Sequence, residues 1–376
     1  MNGIQKNLAG LAIFLVLSPA SFAGELSLGA QFNTWNADTI NPNNGWELWS
    51  PLSLSFKVDP GLGFYGQTEY GRGSYTDSTF GTNTQNLTNF SDSVVGTELN
   101  FKMFNVPSVL NVGFNIPTGD PGWEQKQIAA SVPTEFVNSR YRGRGFGISA
   151  MYAMAFPAGG AQVGAAAGYL YSGTYNPNFG TGASAADLKL GDTVFLSFNH
   201  VQPFAGNQSQ IIRLSGLYSM TTEIDGQNVL RMGPNLNASY SWRNPAAFSF
   251  DLGLQYFFPG QRQFGTVFTD EKQSYYGTRF YVAPSYAFGD FILAAQVKYI
   301  LPNGYTQGDP ALYNGGGYMA GLEPTLRLRF DEVSALRFYA GYDFILAQNG
   351  GTAPDGSLTN VTYNNWTFGT AYELKL

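Results

Sequence analysis

The basic residues in the C-terminal half of this sequence are spaced for electrostatic chemistry. Arg327 and Arg329 lie two residues apart in "GLEPTLRLRF", and Arg337 follows after a short acidic segment. Side chains of a strand point to opposite faces in turn, so the first two arginines share one face and leucines occupy the other. Cations grouped in this way attract anionic solutes, and the pattern indicates binding or steering without covalent chemistry.

Residues that would support catalysis or metal binding are scarce. The chain has no Cys and a single His, which excludes disulfides, thiolate metal sites and cysteine nucleophiles. That histidine, His200 in "FNHVQPF", is expected to be a turn residue. The glycines of "GRGFG" at Gly143 precede an alternating segment and no helix, so they do not fit a phosphate loop. We expect no catalytic residue, no cofactor and no metal, and hence no enzyme.

The composition indicates a chain that faces something other than water. Only 12% of the residues are charged, while 44% are hydrophobic and 16% are aromatic, and soluble proteins carry about 25% charged residues. Beyond the N-terminus there is no run of about 18 apolar residues, which argues against helical membrane spans. The net charge of −6 argues against a nucleic-acid partner.

The first residues have the pattern of a secretory signal peptide. Residues 1–23, "MNGIQKNLAGLAIFLVLSPASFA", place Lys6 before an apolar core and end on small residues ahead of Gly24. A single membrane anchor is the alternative, but the apolar core is short for a span. We predict a cleaved signal peptide, export into a bacterial envelope, and one domain over residues 24–376.

From Glu25 onward, apolar and polar residues alternate in segment after segment, as in "ELSLGAQFNTW" and "AFSFDLGLQYFF". The segments begin near residues 25, 46, 61, 93, 107, 145, 161, 190, 209, 229, 247, 274, 291, 317, 335 and 361. Most of these roughly sixteen segments have the 9 to 11 residues that a tilted strand needs to cross a bilayer. The sequence leaves about fourteen to eighteen strands open.

The connectors alternate between short and long along the chain. Short ones include "DPG" at Asp59, "RNPA" at Arg243 and "DEVS" at Asp331, and between them lie long Gly- and Asn-rich segments such as Arg72 to Asp92 and Ala347 to Thr359. Outer-membrane barrels have short periplasmic turns and long extracellular loops, and lipid tolerates no open sheet edge. We therefore predict an all-β fold, a closed antiparallel transmembrane β-barrel in a bacterial outer membrane, with both termini in the periplasm.

The charged residues of the segments lie on the polar side of their strands, as a lipid-facing band requires. In a barrel they would line the lumen, and our selectivity candidates are Arg213, Arg231, Arg279, Lys298, Glu323, Arg327, Arg329, Arg337 and Asp343. The excess of basic residues predicts a mild preference for anions. Alternatively, the charges pair across strands and only stiffen the wall. A bulge is expected at Pro324, which cannot donate a ladder hydrogen bond.

Aromatic residues and the C-terminus carry two further membrane signals. Trp46, Trp242, Tyr318 and Trp366 fall near predicted strand ends on the apolar side, where aromatic girdles lie. The final segment, "TFGTAYELKL", resembles the C-terminal targeting strand of bacterial outer-membrane barrels through Tyr372, Leu374 and Leu376. The last residue is Leu where that strand favours an aromatic.

Two segments resemble parts of known channel families. The long loop Thr118 to Arg142 resembles in position the constriction loop of general porins, which implies pore-narrowing roles for Glu124, Lys126, Glu135, Arg140 and Arg142. An extra hairpin above the membrane is the open alternative for this loop. The stretch "NVGFNIPTGDP", from Asn111 to Pro121, resembles the outer-membrane transporter family associated with phenol and other aromatic degradation pathways, which implies uptake of small aromatic molecules.

The sequence thus predicts a porin-like channel for passive, weakly selective diffusion of small solutes, with outer-membrane lipid as its surroundings. One alternative is a substrate-specific uptake channel for aromatic or hydrophobic molecules. Another is a non-transporting barrel that displays its loops or sheathes an electron-carrying partner. The solute and the oligomeric state, including a homotrimer, stay open.

Overall fold

The computed structural model describes residues 23–38, 43–77, 84–119, 143, 145–176, 187–231, 233–244, 247–258, 261–264, 267–272, 277–301, 316–352 and 358–375. The predicted signal peptide lies outside these ranges except for Ala23, the first residue of the first strand.

Sixteen long strands form the main sheet. They are β1 (Ala23–Asp38), β2 (Asn43–Asp59), β3 (Leu62–Asp77), β4 (Ser93–Met103), β5 (Val106–Ile116), β6 (Gly147–Ala158), β7 (Ala161–Ser172), β8 (Thr193–Pro203), β9 (Ser209–Ser219), β10 (Asn235–Arg243), β11 (Phe248–Phe257), β12 (Gly277–Phe288), β13 (Phe291–Ile300), β14 (Gly317–Arg329), β15 (Ser334–Thr352) and β16 (Leu358–Lys375).

Each strand pairs antiparallel with its neighbours in sequence, and β1 pairs with both β2 and β16, so the sheet closes into a barrel. A seventeenth segment of this sheet, Thr84–Phe90, pairs with the outer half of β3 and continues the line of β4 across Ser91 and Asp92. It is therefore an extension of β4 and adds no wall position. The predicted closed antiparallel barrel and its even strand number are confirmed.

The connections separate the barrel into two ends. At one end, the short-turn end, strands are joined by tight links such as Ala158 to Ala161, where Gly159 and Gly160 have φ of 57° and 86°. Such positive φ values favour glycine. At the other end, the long-loop end, the connections are longer, as from Ile116 to Gly147. The predicted alternation of connector lengths holds for most of the barrel. Only four residues separate β1 from β2 and five separate β15 from β16, however, because β15 continues to Thr352, inside the predicted long connector Ala347 to Thr359.

A second, six-stranded sheet lies at the long-loop end. It consists of Thr174–Tyr175, Leu188–Lys189, Thr221–Ile224, Gln227–Arg231, Gln261–Phe264 and Val267–Lys272. Each segment directly follows or precedes one of the strands β7 to β12, so this sheet extends the wall beyond those strands. The prediction of one strand starting near residue 229 was wrong, because Gln227–Arg231 pairs within the second sheet and β10 begins only at Asn235, after Gly233 and Pro234.

The two faces of the wall differ in burial and chemistry. One parity carries exposed Leu, Phe, Tyr and Val side chains along nearly every strand, as Leu196, Leu254 and Phe280 do. The opposite parity carries the strand charges and most of the fully buried side chains, such as Trp49 and Ile345. We call the first face outward and the second inward, because the concave side of a closed sheet is the more buried one.

Two local expectations were wrong. Pro324 causes no bulge: β14 pairs it with Leu293, and the register to β15 is the same before and after it. Since Pro324 lacks only its own N–H, the ladder resumes without an extra residue. Arg72, predicted to begin a loop, lies inside β3 on the outward face, opposite Leu48 near the long-loop end.

Candidate functional site: the barrel lumen

The inward face collects most of the ionisable residues of the strands. The basic ones are Lys57, Lys102, Arg213, Arg243, Arg279, Lys298, Arg327, Arg329, Arg337 and Lys375, and the acidic ones are Glu25, Glu47, Glu69, Glu98, Asp251, Glu323, Asp343 and Glu373. With the exception of Arg231, the structure places every predicted lumen candidate on this face.

Arg231 was wrongly predicted to face the lumen. It lies in the second sheet, where its Nε donates a hydrogen bond to the Tyr218 hydroxyl at 3.1 Å and its guanidinium lies 5.9 Å from the centre of the Tyr218 ring. Tyr218 faces outward on β9, opposite Val194. The alternation misled the prediction because the chain leaves the barrel wall between Ser219 and Asn235.

The three arginines near the "DEVS" turn have different partners. Arg327 is 2.7 Å from Glu373, which neutralises it across β14 and β16. Arg329 is exposed and lies 3.9 Å from Asp290 at the short-turn end. Arg337 lies opposite Arg327 in the ladder, is exposed, and has its guanidinium 5.6 Å from the Tyr339 ring centre. Pairing across strands and solvent-exposed charge therefore coexist within one short stretch.

Asp343 is the centre of a polar network on β13 to β16. Its carboxylate accepts hydrogen bonds from the Gln296 and Asn365 amides, both at 3.1 Å. Gly321 lies so close to this carboxylate that a Cβ there would clash with it. Lys298 adds a positive charge within electrostatic reach. Carboxylate, amides and ammonium hold each other in place and give this part of the wall a fixed charge pattern.

Two inward polar pairs escaped the sequence reasoning. Arg243 and Asp251 form an ion pair at 2.9 Å between β10 and β11. Arg243 was read as part of a turn, although it continues the inward alternation of Asn235 on β10. The Trp49 indole donates a 2.7 Å hydrogen bond to Glu47, and only 6% of Glu47 is exposed. The alternation of apolar and polar residues in the sequence does not show that an inward side chain such as Glu47 is buried.

The lumen is filled on one side towards the long-loop end. Trp35, Trp49, Met319, Ile345 and Tyr363 all face inward from the sector of β14 to β2, and each is at most 5% exposed. The Trp49 ring lies directly against Gly71, and the Trp35 ring against Gly45, where any side chain would collide with them. Inward residues of this sector thus form a packed layer, unlike the walls of an open pore.

The opposite side, β5 to β8, has no ionisable residue on its inward face. Its inward positions between Lys102 and Arg213 are small, polar uncharged or apolar, among them Met151, Ala153 and Ala166. Towards the long-loop end, Leu170 and Leu217 are each 41% exposed although they face inward. This half of the lumen is open and apolar in character.

A recess of about 510 Å³ lies in this uncharged wall near the short-turn end. Its polar lining comes from Asn100, Lys102, Ser108, Gln162, Ser197 and Asn199, of which only Lys102, on β4, is charged. The Asn199 side chain lies against Gly164, where a Cβ would collide with it unless that side chain moved. The lumen therefore offers a solute one charged wall and one nearly uncharged wall.

The predicted constriction residues Glu124, Lys126, Glu135, Arg140 and Arg142 lie outside the described residues. The two ends of that loop are described, and a polar cluster joins them. The Asp92 carboxylate accepts hydrogen bonds from the Asn115 amide at 2.8 Å and from Gly119 N at 3.0 Å. Asn115 also donates to the Gly145 carbonyl, at 2.5 Å. The start of the "PTGD" phrase is thus bound to the wall.

Other chemistry has little support in the described ranges. There, no group of three or more His, Asp or Glu side chains is placed to hold a metal ion. His200 lies within β8, facing outward between Val163 and Ile212, so its assignment to a turn was wrong. The strand continues to Pro203 because β9 pairs with it without interruption as far as Ser209. Among the described helices, none has the length and hydrophobicity of a membrane span.

Solved structures resemble the fold of this chain, whereas the sequence comparisons assign it to no family. No protein-family model matches the sequence, and no curated protein matches it. OccK7 (OpdD) of Pseudomonas aeruginosa has 12% identity and a TM-score of 0.50, with 95% of this chain and 100% of that chain covered. OpdL of the same organism has 12% identity and a TM-score of 0.48 over 95% and 99% of the two chains.

An outer membrane channel from Pseudomonas putida F1 has 11% identity and a TM-score of 0.40, with 96% and 97% covered. Of these three structures, OccK7 has the TM-score that supports an argument. At 12% identity that argument concerns the fold alone. The chain has the closed sixteen-stranded fold of a bacterial outer-membrane β-barrel channel.

Proposed function

We propose that the protein is an outer-membrane channel through which small solutes diffuse passively and with weak selectivity. The observation that carries this proposal is the closed ring of sixteen strands with apolar side chains outward and charged side chains inward. A barrel with this number of strands is wide enough for an aqueous channel, and a lipid-facing exterior explains why so many large apolar side chains are exposed.

The asymmetry of the barrel ends supports an orientation. The short-turn end, with both chain termini, would face the periplasm, and the long-loop end would face outward. Outward aromatic residues cluster towards both ends. Near the short-turn end, the ring centres of Tyr286 and Phe288 are 4.4 Å apart. Near the long-loop end, the ring centres of Tyr256 and Phe258 are 4.7 Å apart. Aromatic rings at these two levels match the two girdles of a membrane barrel. Export by a cleaved signal peptide over residues 1–23 belongs to the same proposal.

The charged wall would set the weak selectivity. Inward basic side chains slightly outnumber acidic ones, and part of the charge is neutralised locally, as at Arg327 and Glu373. Arg213 and Arg337 are among the exposed inward cations that can meet a passing solute. We therefore propose a mild preference for anions, with these two arginines contributing more than Arg327.

The test is conductance of the purified protein in a planar bilayer. We expect stable open-channel steps and, under a salt gradient, a small reversal potential with the sign of anion preference. Absence of conductance under all conditions would contradict the channel and favour a barrel that displays loops or sheathes a partner. A strong cation preference would contradict the role of the arginines.

A second candidate, selective uptake of partly apolar solutes, is favoured by the two-sided lumen. An amphipathic molecule near the short-turn end could place its polar group towards Arg337 and its apolar body towards Val109 and Val201 in the recess of the uncharged wall. Saturable block of the ion current by a small aromatic solute would favour this candidate. Current that does not change at saturating solute would leave general diffusion as the better account. Association into a homotrimer remains a proposal for both candidates.

A further inference from the structure

The outward face of β6 to β11 is concave and apolar. A trough of about 950 Å³ is lined there by outward side chains. Its floor consists of small residues, Ala165, Ala167, Gly216 and Ala238. Leu196, Leu214 and Leu236 stand beside them and are 60%, 50% and 48% exposed. Ser197, Ser215 and Asn237 also belong to the lining, but most of it is apolar. A groove with a mainly apolar lining is a surface that hydrocarbon fills better than water.

The strand register shows how the trough is made. Ala167, Leu196, Gly216 and Leu236 are successive partners across β7, β8, β9 and β10. Small and large residues thus alternate around the wall at one level, and they leave gaps between leucines. Chain-like ligands that run along the strands fit such gaps.

Tyrosines border the trough towards the long-loop end. Tyr169 is two residues beyond Ala167 on β7, and Tyr218 is two residues beyond Gly216 on β9. Both belong to one level, because Val194 pairs with each of them. Tyrosines with an apolar body and a polar tip mark the membrane–water interface. The trough would therefore lie at the depth of acyl chains in the outer leaflet.

Two cations lie just beyond these tyrosines. Lys189 Nζ is 5.5 Å from the Tyr171 ring centre, and Arg231 donates to the Tyr218 hydroxyl. Both residues belong to the second sheet, and their strands are separated by one other strand. Two strand spacings of about 4.8 Å place them on the order of 10 Å apart. They stand where the phosphates of lipid head groups lie.

Acidic residues lie beside Lys189, and Arg231 is exposed. Asp192 lies 3.9 Å from Lys189 Nζ, and its carboxylate also accepts hydrogen bonds from the Tyr169 hydroxyl and the Ser172 amide. Only 12% of the Asp192 side chain is exposed, against 25% for Lys189. Lys189 is thus the more exposed side chain of the pair. Glu223 lies opposite Lys189 in the ladder.

The same order recurs on another part of the outward face. A second trough of about 640 Å³ lies over β2 to β5 and includes Gly66 and Thr97. Beyond it Tyr70 packs edge-on against Phe90, with ring centres 5.2 Å apart. The next outward residue on β3 is Arg72, which is exposed. The sequence of trough, tyrosine and cation is thus repeated on two separate groups of strands.

We propose that the trough of β6 to β11 and the cations Lys189 and Arg231 together bind a phosphate-bearing lipid of net negative charge, with two or more acyl chains, from the outer leaflet. The inference rests on the proposed position in an outer membrane. The acyl chains fill the gaps between Leu196, Leu214 and Leu236, and the phosphate meets the two cations. The β2 to β5 trough with Arg72 binds the same lipid chemistry.

Native mass spectrometry of the mature protein in mild detergent tests this proposal. The probes are dipalmitoyl phosphatidylglycerol and dipalmitoyl phosphatidylcholine, which share their chains and phosphate but differ in net charge. We expect the wild type to retain the anionic lipid preferentially. Lys189→Gln with Arg231→Gln should lower this preference by roughly fivefold per cation. Ala238→Phe, which fills the trough, should lower retention of both lipids.

The controls separate this proposal from its rivals. Arg329→Gln removes an exposed cation at the short-turn end and should not change the preference. Millimolar inorganic phosphate should not displace the lipid, since the acyl chains are part of the ligand. Equal retention of both lipids by the wild type, or an unchanged preference in the double variant, would overturn the proposal. So would dimers or trimers that form without lipid and that Ala238→Phe abolishes, because a second copy would then occupy the trough.

Conductance of the same preparation keeps the two proposals apart. A preparation that conducts ions but shows no lipid preference contradicts only the lipid site. One that holds the anionic lipid at these residues but never conducts contradicts only the channel.

Discussion

The two halves of the lumen wall have opposite characters within one continuous sheet. On β12 to β16 the inward positions carry arginines, lysines and carboxylates, several of which pair with each other across strands. On β5 to β8 the same parity carries no ionisable side chain, and a recess takes the place of a polar network. The strands and their pairing are alike in both halves, so the fold specifies a wall and the inward residues specify its chemistry.

The comparison also separates stability from selectivity. In the charged half a carboxylate such as Asp343 has several partners, and its removal would leave them unsatisfied. In the uncharged half a side chain such as Ala166 has no polar partner to lose. We therefore expect substitutions in the first half to affect folding and ion preference together, and inward substitutions in the second half to affect mainly ion preference.

The largest effect should come from a charge on the wrong face of the uncharged half. Ala166 and Ala167 are neighbours on β7, one inward and one outward. Ala167→Arg should destabilise the folded barrel by roughly 2 to 4 kcal/mol near mid-bilayer, measured by urea unfolding in lipid vesicles. Ala166→Arg should fold and increase anion preference. Similar losses in both variants would contradict the assignment of the two faces.

A smaller effect is expected from the polar network of the charged half. Asp343→Ala removes the acceptor for Gln296 and Asn365 and should cost about 1 to 3 kcal/mol, because buried donors lose their partner. The matched change in the uncharged half, Ser197→Ala, should stay within about 0.5 kcal/mol. The measurement is again unfolding in vesicles. Equal costs would show that the two halves do not differ in polar organisation.

Charge pairing on the charged half predicts a compensating pair of variants. Arg327→Gln should reduce anion preference and Glu373→Gln should increase it, each by less than about fivefold in permeability ratio, since partly exposed pairs are worth roughly 0.2 to 1 kcal/mol. The double variant should return close to wild type. Reversal potentials under a salt gradient measure this, and a double variant as far from wild type as either single one would argue against pairing.

The smallest effect concerns Asp331 in the turn between β14 and β15, outside the membrane-spanning strands. Hydrogen bonds from the Ser334 hydroxyl and from the Val333 and Ser334 amides hold the pKa of this carboxyl below its ordinary value. A lowered folded-state pKa gives stability above the unfolded pKa that is lost as pH falls through the folded one.

Asp331→Asn should therefore lower the melting temperature slightly at neutral pH, and the difference from wild type should shrink in acid. Asp290→Asn, a change in the neighbouring turn, serves as the matched comparison. A difference that stays constant from neutral to acid pH would show that the hydrogen bonds do not depend on the charge.

Much of this architecture could be read from the sequence, because the apolar outward side imposes a period of two on most strand positions, with exceptions such as Arg72 and His200. The start of β14 at Gly317 and that of β9 at Ser209 coincide with the alternation. The same rule failed for Arg231, where the chain leaves the barrel and alternation continues in another sheet. A separate expectation, the bulge at Pro324, came from the N–H that proline lacks. It was wrong because β13 and β15 pair with β14 on both sides without a register shift.

The sequence could not predict which inward side chains pair with each other or which of them fill the lumen. Alternation identifies which side of a strand is inward, but not which inward residues meet. The contacts of Arg327 with Glu373 and of Trp49 with Glu47 depend on register between strands and on ring packing against glycines. Likewise the trough on the outward face arises from small residues on different strands that come to one level only in the closed barrel.

The central claim is that a water-filled path runs along the inward face, and cysteine accessibility tests it most directly, because the chain has no native Cys. Ser197→Cys faces inward and Leu196→Cys faces outward on β8. In a planar bilayer, a charged thiol reagent added to the aqueous phase should change the current through the Ser197→Cys channel and leave the Leu196→Cys channel unchanged. Reaction at Leu196→Cys alone, or no conducting channel in either variant, would contradict the account.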